Sequence, residues 1–251
     1  MTVLAIANQK GGVGKTTTAI NLAAALAALE RRVLLIDCDP QGNATRGLGG
    51  SAEGANLYHV LTGSASVEDA VRSTSMSHLD LLPADRDLVG VEVEFVGQPE
   101  WRQIFRRRIA GSIDAYDLVL LDCPPSLGHL TVGALTASDG VIVPLQCEYF
   151  ALEGISELVK TVGRISKAAN PGLAITGILL TMYDERTNLA QDVAEEIRRH
   201  FGGKVFTTVV PRNVRLAEAP SHGQAILEYD IKSRGAEAYL ALAREYLERA
   251  A

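Results

Sequence analysis

The feature that most constrains this chain is a glycine-rich segment directly after its first apolar run. Residues 3–7 are apolar, glycines stand at positions 11, 12 and 14, and Lys15 and Thr16 lead into a stretch with helical spacing. A strand that breaks into glycines and then starts a helix is the setting of a phosphate-binding loop, because backbone N–H groups can approach phosphate oxygens where no Cβ intervenes. The segment therefore predicts a nucleotide site.

The segment departs from the usual phosphate-loop pattern G-x-x-x-x-G-K-[ST] in two ways. Gln9 stands where the first glycine would fall, and a second lysine, Lys10, precedes the glycines. This is the deviant Walker A motif, and on it the chain resembles the ATPase family that includes ParA/Soj and MinD. A glycine-rich turn without a ligand is the alternative, but the strand, the loop, the Lys-Thr pair and the helix all agree with a nucleotide site.

Length and composition favour one α/β domain spanning residues 1–251. The chain has 47% hydrophobic residues, enough for a substantial core. With 24 Lys and Arg against 30 Asp and Glu, the net charge is -6, which argues against a uniformly basic surface. Nucleic-acid binding, if it occurs, requires a local basic patch.

The cysteines and the N-terminus favour a reducing, aqueous compartment. Cys38, Cys123 and Cys147 are scattered without metal-ligand spacing, so they are expected to be buried apolar residues. The N-terminus has no signal-peptide pattern, and no apolar run is long enough to span a bilayer. We therefore expect no membrane insertion.

Apolar runs alternate with helical patterns along the whole chain, which predicts a doubly wound, mainly parallel sheet flanked by helices. The segment 44–77, rich in glycine and serine, is expected to form surface loops and short helices, and polar helical segments are expected to follow as far as residue 110. The predicted strands are 3–7, 32–36, 79–83, 116–122, 140–145, 175–181 and 205–210, and the longer predicted helices are 17–29, 151–168 and 235–249.

Carboxylates follow two of the predicted strands. Asp37 and Asp39 come after strand 32–36, and Asp122 ends strand 116–122 in a Walker B pattern before Pro124 and Pro125. Ligands of parallel α/β sheets bind at the carboxyl ends of strands, so these carboxylates are expected near the phosphate loop. Either Asp37 or Asp39 could face a metal or the γ-phosphate, and Asp39 could instead cap a turn.

The resemblance to the deviant Walker A ATPases covers nearly the whole chain. Its most specific stretches are 9–18, 37–45, 122–126 and 211–221, and the last is similar to chromosomal ParA/Soj proteins in particular. It implies hydrolysis of ATP to ADP and phosphate with Mg²⁺, and the absence of an N-K-x-D segment favours adenine over guanine. The implied phosphate contacts are Lys10, Gly11, Gly12, Val13, Gly14, Lys15, Thr16 and Thr17.

The resemblance also implies roles for single residues. Lys10, reaching the partner's nucleotide in a dimer, and Lys15 would be catalytic, and Asp39 would position the attacking water. The implied metal-site residues are Thr16, Asp37 and Asp122, and the implied adenine contacts are Met182, Pro211 and Asn213.

The partners that the resemblance implies are a second copy of the chain in the presence of ATP, non-specific double-stranded DNA and a ParB-type centromere-binding protein. Arg186 and Arg215 match positions used for DNA contact, although a surface ion pair is the alternative for Arg186. The arginine run at 106–108 is either a solvated helix face or a nucleic-acid contact. The implied location is the cytoplasm, in association with the nucleoid.

The resemblance thus implies a DNA-partitioning ATPase, and three other functions are the alternatives. A MinD-like membrane switch would need a basic amphipathic C-terminal helix, whereas residues 241–251 mix Glu with Arg. An iron-sulfur reductase would need cysteine ligands, and Cys123 does not fall where that family places them. A metabolic amidoligase gains no support from stretch 211–221.

Overall fold

The computed structural model describes residues 1–98 and 100–250, which form a central sheet with helices on both faces. The strands are β1 (Thr2–Ile6), β2 (Val33–Asp37), β3 (Arg72–Ser73), β4 (Leu79–Leu82), β5 (Leu118–Asp122), β6 (Gly140–Gln146), β7 (Ala174–Tyr183) and β8 (Val205–Pro211). The α-helices are α1 (Lys15–Ala28), α2 (Asn43–Gly47), α3 (Leu57–Thr62), α4 (Val67–Ala70), α5 (Gly90–Glu94), α6 (Trp101–Ile109), α7 (His129–Ala137), α8 (Ala151–Ala168), α9 (Asn188–Phe201), α10 (Val214–Glu218), α11 (Ile226–Tyr229) and α12 (Arg234–Ala250).

The sheet has the strand order β3-β4-β2-β5-β1-β6-β7-β8. Neighbouring strands are parallel throughout, except that the two-residue strand β3 runs antiparallel to β4. After β1 the chain builds outward through β2 and β4, returns to place β5 beside β1, and then builds outward on the other side. This confirms the predicted doubly wound sheet, and it puts the point where the strand order reverses at β1 and β5, where such folds bind ligands.

Successive side chains along each strand point to opposite faces of the sheet, and each face packs into its own apolar layer. Val3 and Ala5 of β1 pack into the layer formed with α3 to α9, whereas Leu4 and Ile6 pack into the layer formed with α1 and α12. Helix α1 is buried around most of its circumference because the sheet covers one side and α12 the other. Its alanine-rich sequence fits this place, since small side chains let both neighbours approach.

The segment 44–77 contains the predicted short helices, but two of them are not confined to the surface as predicted. Its short helices α3 and α4 bury Leu57, Val60, Leu61, Val67 and Ala70 in the core, and β3 adds an edge strand that the sequence pattern did not reveal. Glycines and serines form the turns between these helices and interrupt the apolar pattern. The buried apolar residues are therefore too widely spaced to form one periodic run.

Candidate functional site

The loop between β1 and α1 has a backbone that depends on glycine at two positions. Gly12 and Gly14 have φ values of 75° and 83°, in the left-handed region where side chains are strained. Gly14 is the N-cap of α1, so the helix begins at Lys15, two residues earlier than predicted. The first N–H groups of α1 have no partner within the helix and carry the positive end of its dipole. This part of the chain therefore presents an anion site.

Polar side chains tie the loop to neighbouring strands. Asn8 is buried; its side-chain amide donates to the carbonyl of Pro144 at 2.7 Å, and its Oδ1 accepts the backbone N–H of Lys10 at 3.0 Å. The hydroxyl of Thr181 on β7 donates to the carbonyl of Val13 at 2.8 Å. The loop is thus held in place by β6 and β7.

The two lysines of the loop have different surroundings. Lys15 is buried, and its Nζ donates to the carbonyl of Lys10 at 3.0 Å. Burial lowers the pKa of Lys15, while the negative charge of Asp122 opposes the shift. Lys10 is more exposed and forms an ion pair with Glu148 of its own chain, just after β6. The structure therefore places one ammonium inside the site and holds the other at its rim.

Asp37 ends β2 and is fully buried, yet its carboxylate is well supplied with donors. Its Oδ2 accepts the backbone N–H of Thr45 at 2.8 Å and the hydroxyl of Thr45 at 2.7 Å, and its Oδ1 accepts the backbone N–H of Asp39 at 3.1 Å. Burial raises the pKa of Asp37 to about 6, although these hydrogen bonds oppose the shift. Much of its hydrogen-bonding capacity is thus used within the protein.

Asp122 ends β5 and lies opposite Asp37 in the strand register. The two carboxylates differ in their hydrogen bonds. Neither of its carboxylate oxygens has a hydrogen-bond partner among the described residues, although the side chain is fully buried. Burial raises the pKa of Asp122 and the charge of Asp37 raises it further. The charge of Lys15 lowers this pKa, and so does the nearby Thr16 hydroxyl, although the geometry of that hydroxyl falls short of a hydrogen bond. A buried carboxylate without hydrogen-bond donors can bind a hard cation directly, or can accept a hydrogen bond from a water that the cation holds.

Asp39 lies on the turn that follows β2. Its Oδ1 accepts the backbone N–H of Gln41 at 2.9 Å, and its carbonyl accepts the N–H of Gly42 at 2.8 Å. The turn-capping alternative is therefore realised in the structure. Capping uses one carboxylate oxygen, so it is compatible with the predicted orientation of a water by the other.

The three predicted adenine contacts line one cavity. This cavity has a volume of about 320 Å³ and is bounded by Met182, Pro211 and Asn213, with Gly14 and Thr17 of the phosphate loop at its other end. Asn213 caps α10 by accepting the N–H of Arg215 at 2.8 Å. Met182 has a φ of 48°, which is strained for a side chain with a Cβ. This cavity, named the base cavity after its predicted contacts, is therefore adjacent to the phosphate loop.

The two predicted DNA contacts are engaged in ion pairs. Arg186 makes two hydrogen bonds to the carboxylate of Asp184, at 2.8 and 2.7 Å, which is the alternative raised for it from the sequence. Arg215 donates to Glu218 at 2.8 Å and lies 3.5 Å from an oxygen of Asp230. Both side chains remain exposed, so either pair can exchange partners at the cost of a weak surface interaction.

A second, larger groove borders the base cavity. It has a volume of about 840 Å³ and shares Pro211 and Arg212 with that cavity. Arg186, Arg212 and Arg234 line it. In the arginine run of α6, which lies elsewhere, Arg107 pairs with Glu100.

Sequence reasoning missed the residues that hold the predicted ones in place. Glu148, Thr45 and Thr181 come from three separate segments and meet the site only through the fold. Their positions at or just beyond the carboxyl ends of strands, or at the start of the helix after β2, were the one signal that could have pointed to them.

The helices of the described residues were also compared with the length and hydropathy of a membrane span. None of them has both the length and the apolar composition that a span requires.

Comparison with known proteins gives a consistent set of relatives. A family model described as an AAA domain matches residues 1–175. The "Chromosome partitioning protein ParA" of Caulobacter vibrioides is 56% identical over 98% of this chain and 94% of that protein. The "Sporulation initiation inhibitor protein Soj" of Bacillus subtilis is 52% identical over 97% of both chains.

Among solved structures, cobyrinic acid a,c-diamide synthase from Mycobacterium smegmatis, with bound ADP and magnesium, has a TM-score of 0.86 and 38% identity. The match covers 99% of this chain and 95% of that one. ATP and Mg²⁺ were predicted here from the sequence, and an ADP–magnesium complex is what this similar protein holds. Its name is that of a metabolic enzyme, but the relatives named for partitioning are more similar.

Fold and site together define a P-loop nucleotide-binding protein of the deviant Walker A type. The glycine loop after β1, the lysine at the start of α1 and the carboxylates ending β2 and β5 are its parts. Within that class, the chain belongs to the ParA/Soj family of chromosome-partitioning proteins.

Proposed function

We propose that this chain is a DNA-partitioning ATPase that dimerises on binding ATP and binds DNA without sequence preference as the dimer. A ParB-type centromere-binding partner would stimulate it to hydrolyse ATP to ADP and phosphate, and it would work in the cytoplasm on the nucleoid. The observation that carries the proposal is the buried Asp122 carboxylate, which has no hydrogen-bond partner in the described part of the chain and lies beside a phosphate loop in a chain of a partitioning family.

Binding of ATP follows from the arrangement of the loop and the base cavity. The start of α1 would hold the phosphates, with Lys15 and the backbone of the loop as donors. The cavity bounded by Met182, Pro211 and Asn213 would take the adenine, since it is largely apolar and lies next to the loop. Thr17 borders both regions.

Asp122 and Thr16 fit a magnesium site. A hard cation takes oxygen ligands, and Mg²⁺ keeps several of its waters, so Asp122 would act directly or through a water. Asp37, whose oxygens already accept three hydrogen bonds, would contribute its charge nearby. Bound there, Mg²⁺ would neutralise the charge on the β- and γ-phosphates.

The residues of this chain would catalyse hydrolysis by placement and charge. Asp39 would orient the attacking water with the carboxylate oxygen that does not cap the turn. Lys15 would stay at the β- and γ-phosphates, where the transition state gathers negative charge. Lys10 would supply the same kind of charge to the nucleotide of a second copy.

For Lys10 to reach a second copy, its ion pair with Glu148 must open. Both side chains are more than two-fifths exposed, at 42% and 46%. Exposed ion pairs contribute about 0–1 kcal/mol, so a nucleotide phosphate can displace Glu148 readily. Lys10 would thus couple the nucleotide to the oligomeric state.

DNA binding by an acidic chain requires a local cationic surface. Arg186 and Arg215 are candidates. Arg212 and Arg234 join Arg186 in the lining of the groove beside the base cavity, which also includes three acidic residues, Asp184, Glu185 and Glu237. Two copies joined by ATP present this surface twice, and linked contacts add through effective concentration. Binding would then depend on ATP although each surface alone is weak.

The MinD-like membrane switch gains little from the C-terminal helix. Helix α12 packs on α1 and β8 and buries its apolar side chains, among them Tyr239, Leu242 and Tyr246. A helix that lies on a membrane needs that apolar face for the lipid. Pelleting with anionic vesicles in the presence of ATP tests this alternative, and the proposal expects the protein to stay in the supernatant.

Light scattering with a phosphate-release assay tests the proposed cycle. With ATP, the wild-type chain is expected to reach dimer mass and return to the monomer as phosphate is released. Asp39→Ala should bind ATP and remain dimeric, whereas Lys10→Ala should bind ATP and remain monomeric. A Lys10→Ala dimer would contradict the role of Lys10, and normal phosphate release by Asp39→Ala would remove Asp39 from catalysis.

A further inference from the structure

The loop that follows Asp122 is fixed at its far end by a side chain from another part of the chain. Glu92 on α5 accepts the backbone N–H of His129 through Oε2 at 2.9 Å and that of Leu130 through Oε1 at 3.1 Å. These are the first two residues of α7. Oε2 also lies 2.8 Å from Nδ1 of His129. Glu92 therefore caps α7 from outside, in place of the N-cap residue Gly128, which has no side chain.

Gly128 and Glu92 fit each other sterically. The φ of Gly128 is -72°, which any residue can adopt, so its backbone does not require glycine. A Cβ built at Gly128 would instead overlap the carboxylate of Glu92. The absence of a side chain at position 128 is thus what lets the carboxylate reach the end of the helix.

The charge of Glu92 is maintained at this position. Burial acts to raise the pKa of Glu92, but the backbone N–H groups of His129 and Leu130 together with the His129 side chain outweigh it, and the pKa lies below its usual value. An ionised carboxylate at a helix N-terminus is favoured by the helix dipole. The cap is therefore charge-assisted, which makes it stronger than a neutral one.

The rest of the loop has little freedom between Asp122 and α7. Pro124 is buried, and the carbonyl of Ser126 accepts the hydroxyl of the buried Thr131 at 2.5 Å. Only residues 125–127 are exposed. The two ends of this loop are thus fixed by Asp122, at the end of β5, and by Glu92, at the start of α7.

We propose that Glu92 is a positioning residue for ATP hydrolysis, which it supports by fixing the start of α7 and with it the loop 123–128 beside Asp122. The inference rests on the proposed function. Glu92 is bound to the end of α7 rather than to the phosphate loop, so it acts through this loop and not on the reacting atoms. Its loss should impair turnover far more than nucleotide binding.

Steady-state hydrolysis with duplex DNA present, combined with ADP titration, tests this role in Glu92→Gln. The substitution keeps the size of the side chain but turns an amide N–H₂ toward backbone donors. We expect kcat to fall at least about tenfold, because small misplacements of catalytic geometry are costly. The KM for ATP and the Kd for ADP should change less than about twofold, the pattern of a lost transition-state interaction.

Glu94→Gln is the matched control. Glu94 lies two residues further along, and its carboxylate accepts the hydroxyl of Tyr58 at 2.8 Å, away from α7. It should hydrolyse ATP like the wild type. Gly128→Ala should reproduce the loss in kcat, and adding it to Glu92→Ala should cost little more, because the two changes act on one contact.

These measurements distinguish a failure of the Glu92 role from a failure of the proposed function. Wild-type turnover in Glu92→Gln would overturn the positioning role, and so would a loss of ADP binding that matches the loss in kcat. A wild-type chain that neither dimerises with ATP nor hydrolyses it would overturn the proposed function and this role with it. That result is distinct from a failure confined to Glu92.

Discussion

At the scale of single residues, two carboxylates that end neighbouring strands have opposite surroundings. Asp37 is surrounded by donors from Thr45 and Asp39, whereas Asp122 is equally buried and has no hydrogen-bond partner among the described residues. An unsatisfied buried carboxylate destabilises a fold, so its presence indicates a ligand that repays the loss when bound. The surroundings of Asp122 therefore support the proposed magnesium site.

Replacing Asp122 by Asn should stabilise the magnesium-free protein. Burial raises the folded-state pKa of Asp122 above its ordinary value of 3.8, so its contribution to stability is greatest when protonated and declines as pH rises above that value. Near neutral pH, Asp122→Asn should raise the free energy of unfolding by about 1–3 kcal/mol and weaken its pH dependence. Urea unfolding without magnesium measures both, and a less stable variant would contradict the account.

Thr45→Val should destabilise the protein, because it removes a hydrogen bond to the Asp37 carboxylate. The hydroxyl of Thr45 donates to Asp37 and accepts the N–H of Ala84 at 3.0 Å, so its removal leaves two buried groups short of a partner. The free energy of unfolding should fall by about 1–3 kcal/mol. Thr45→Ser keeps the hydroxyl and should stay near the wild type in the same unfolding measurement; equal losses in both variants would argue against the hydrogen bonds.

At the scale of elements, periodic segments could be predicted and contacts between distant segments could not. Helix α8 has the predicted bounds, and the β1 and β2 assignments shift by one residue, since continuous apolar runs and helical spacing are local signals. Helices α3 and α4 were misplaced at the surface because their few apolar residues are separated by turn residues. Glu92 and Glu148 carry no local signal, since their partners lie in other segments.

Two glycine substitutions should separate packing from backbone effects. A Cβ at Gly177 on β7 would overlap the buried ring of Phe206 on β8, so Gly177→Ala should lower the free energy of unfolding by about 1–3 kcal/mol. Gly163 lies inside α8 with open space around it, so Gly163→Ala should raise it by about 0.5–1 kcal/mol. Thermal or urea unfolding of the pair gives both signs, and destabilisation by Gly163→Ala would contradict the open space at that position.

At the scale of the whole molecule, the charge balance and the proposed partner must be reconciled. A net charge of -6 repels DNA, while Arg186, Arg212, Arg215 and Arg234 lie on or near one groove. Two of these side chains, Arg186 and Arg215, are paired with acidic residues, so one subunit should bind DNA weakly. Under the proposed function, doubling the surface in an ATP-bound dimer would give the nucleotide control over DNA binding.

Binding to a long, sequence-unrelated DNA duplex at fixed salt, compared with ATP, with ADP and without nucleotide, tests the central claim most directly. Of the three conditions, only ATP should promote DNA binding. Asp39→Ala should retain this ATP-dependent binding, and Arg215→Glu should lose it. The salt dependence of the wild type should be steep and should flatten in Arg215→Glu, as expected for lost phosphate contacts. Absence of DNA binding in every nucleotide state, with ATP still driving dimerisation, would contradict the partitioning function and leave a nucleotide switch with another target.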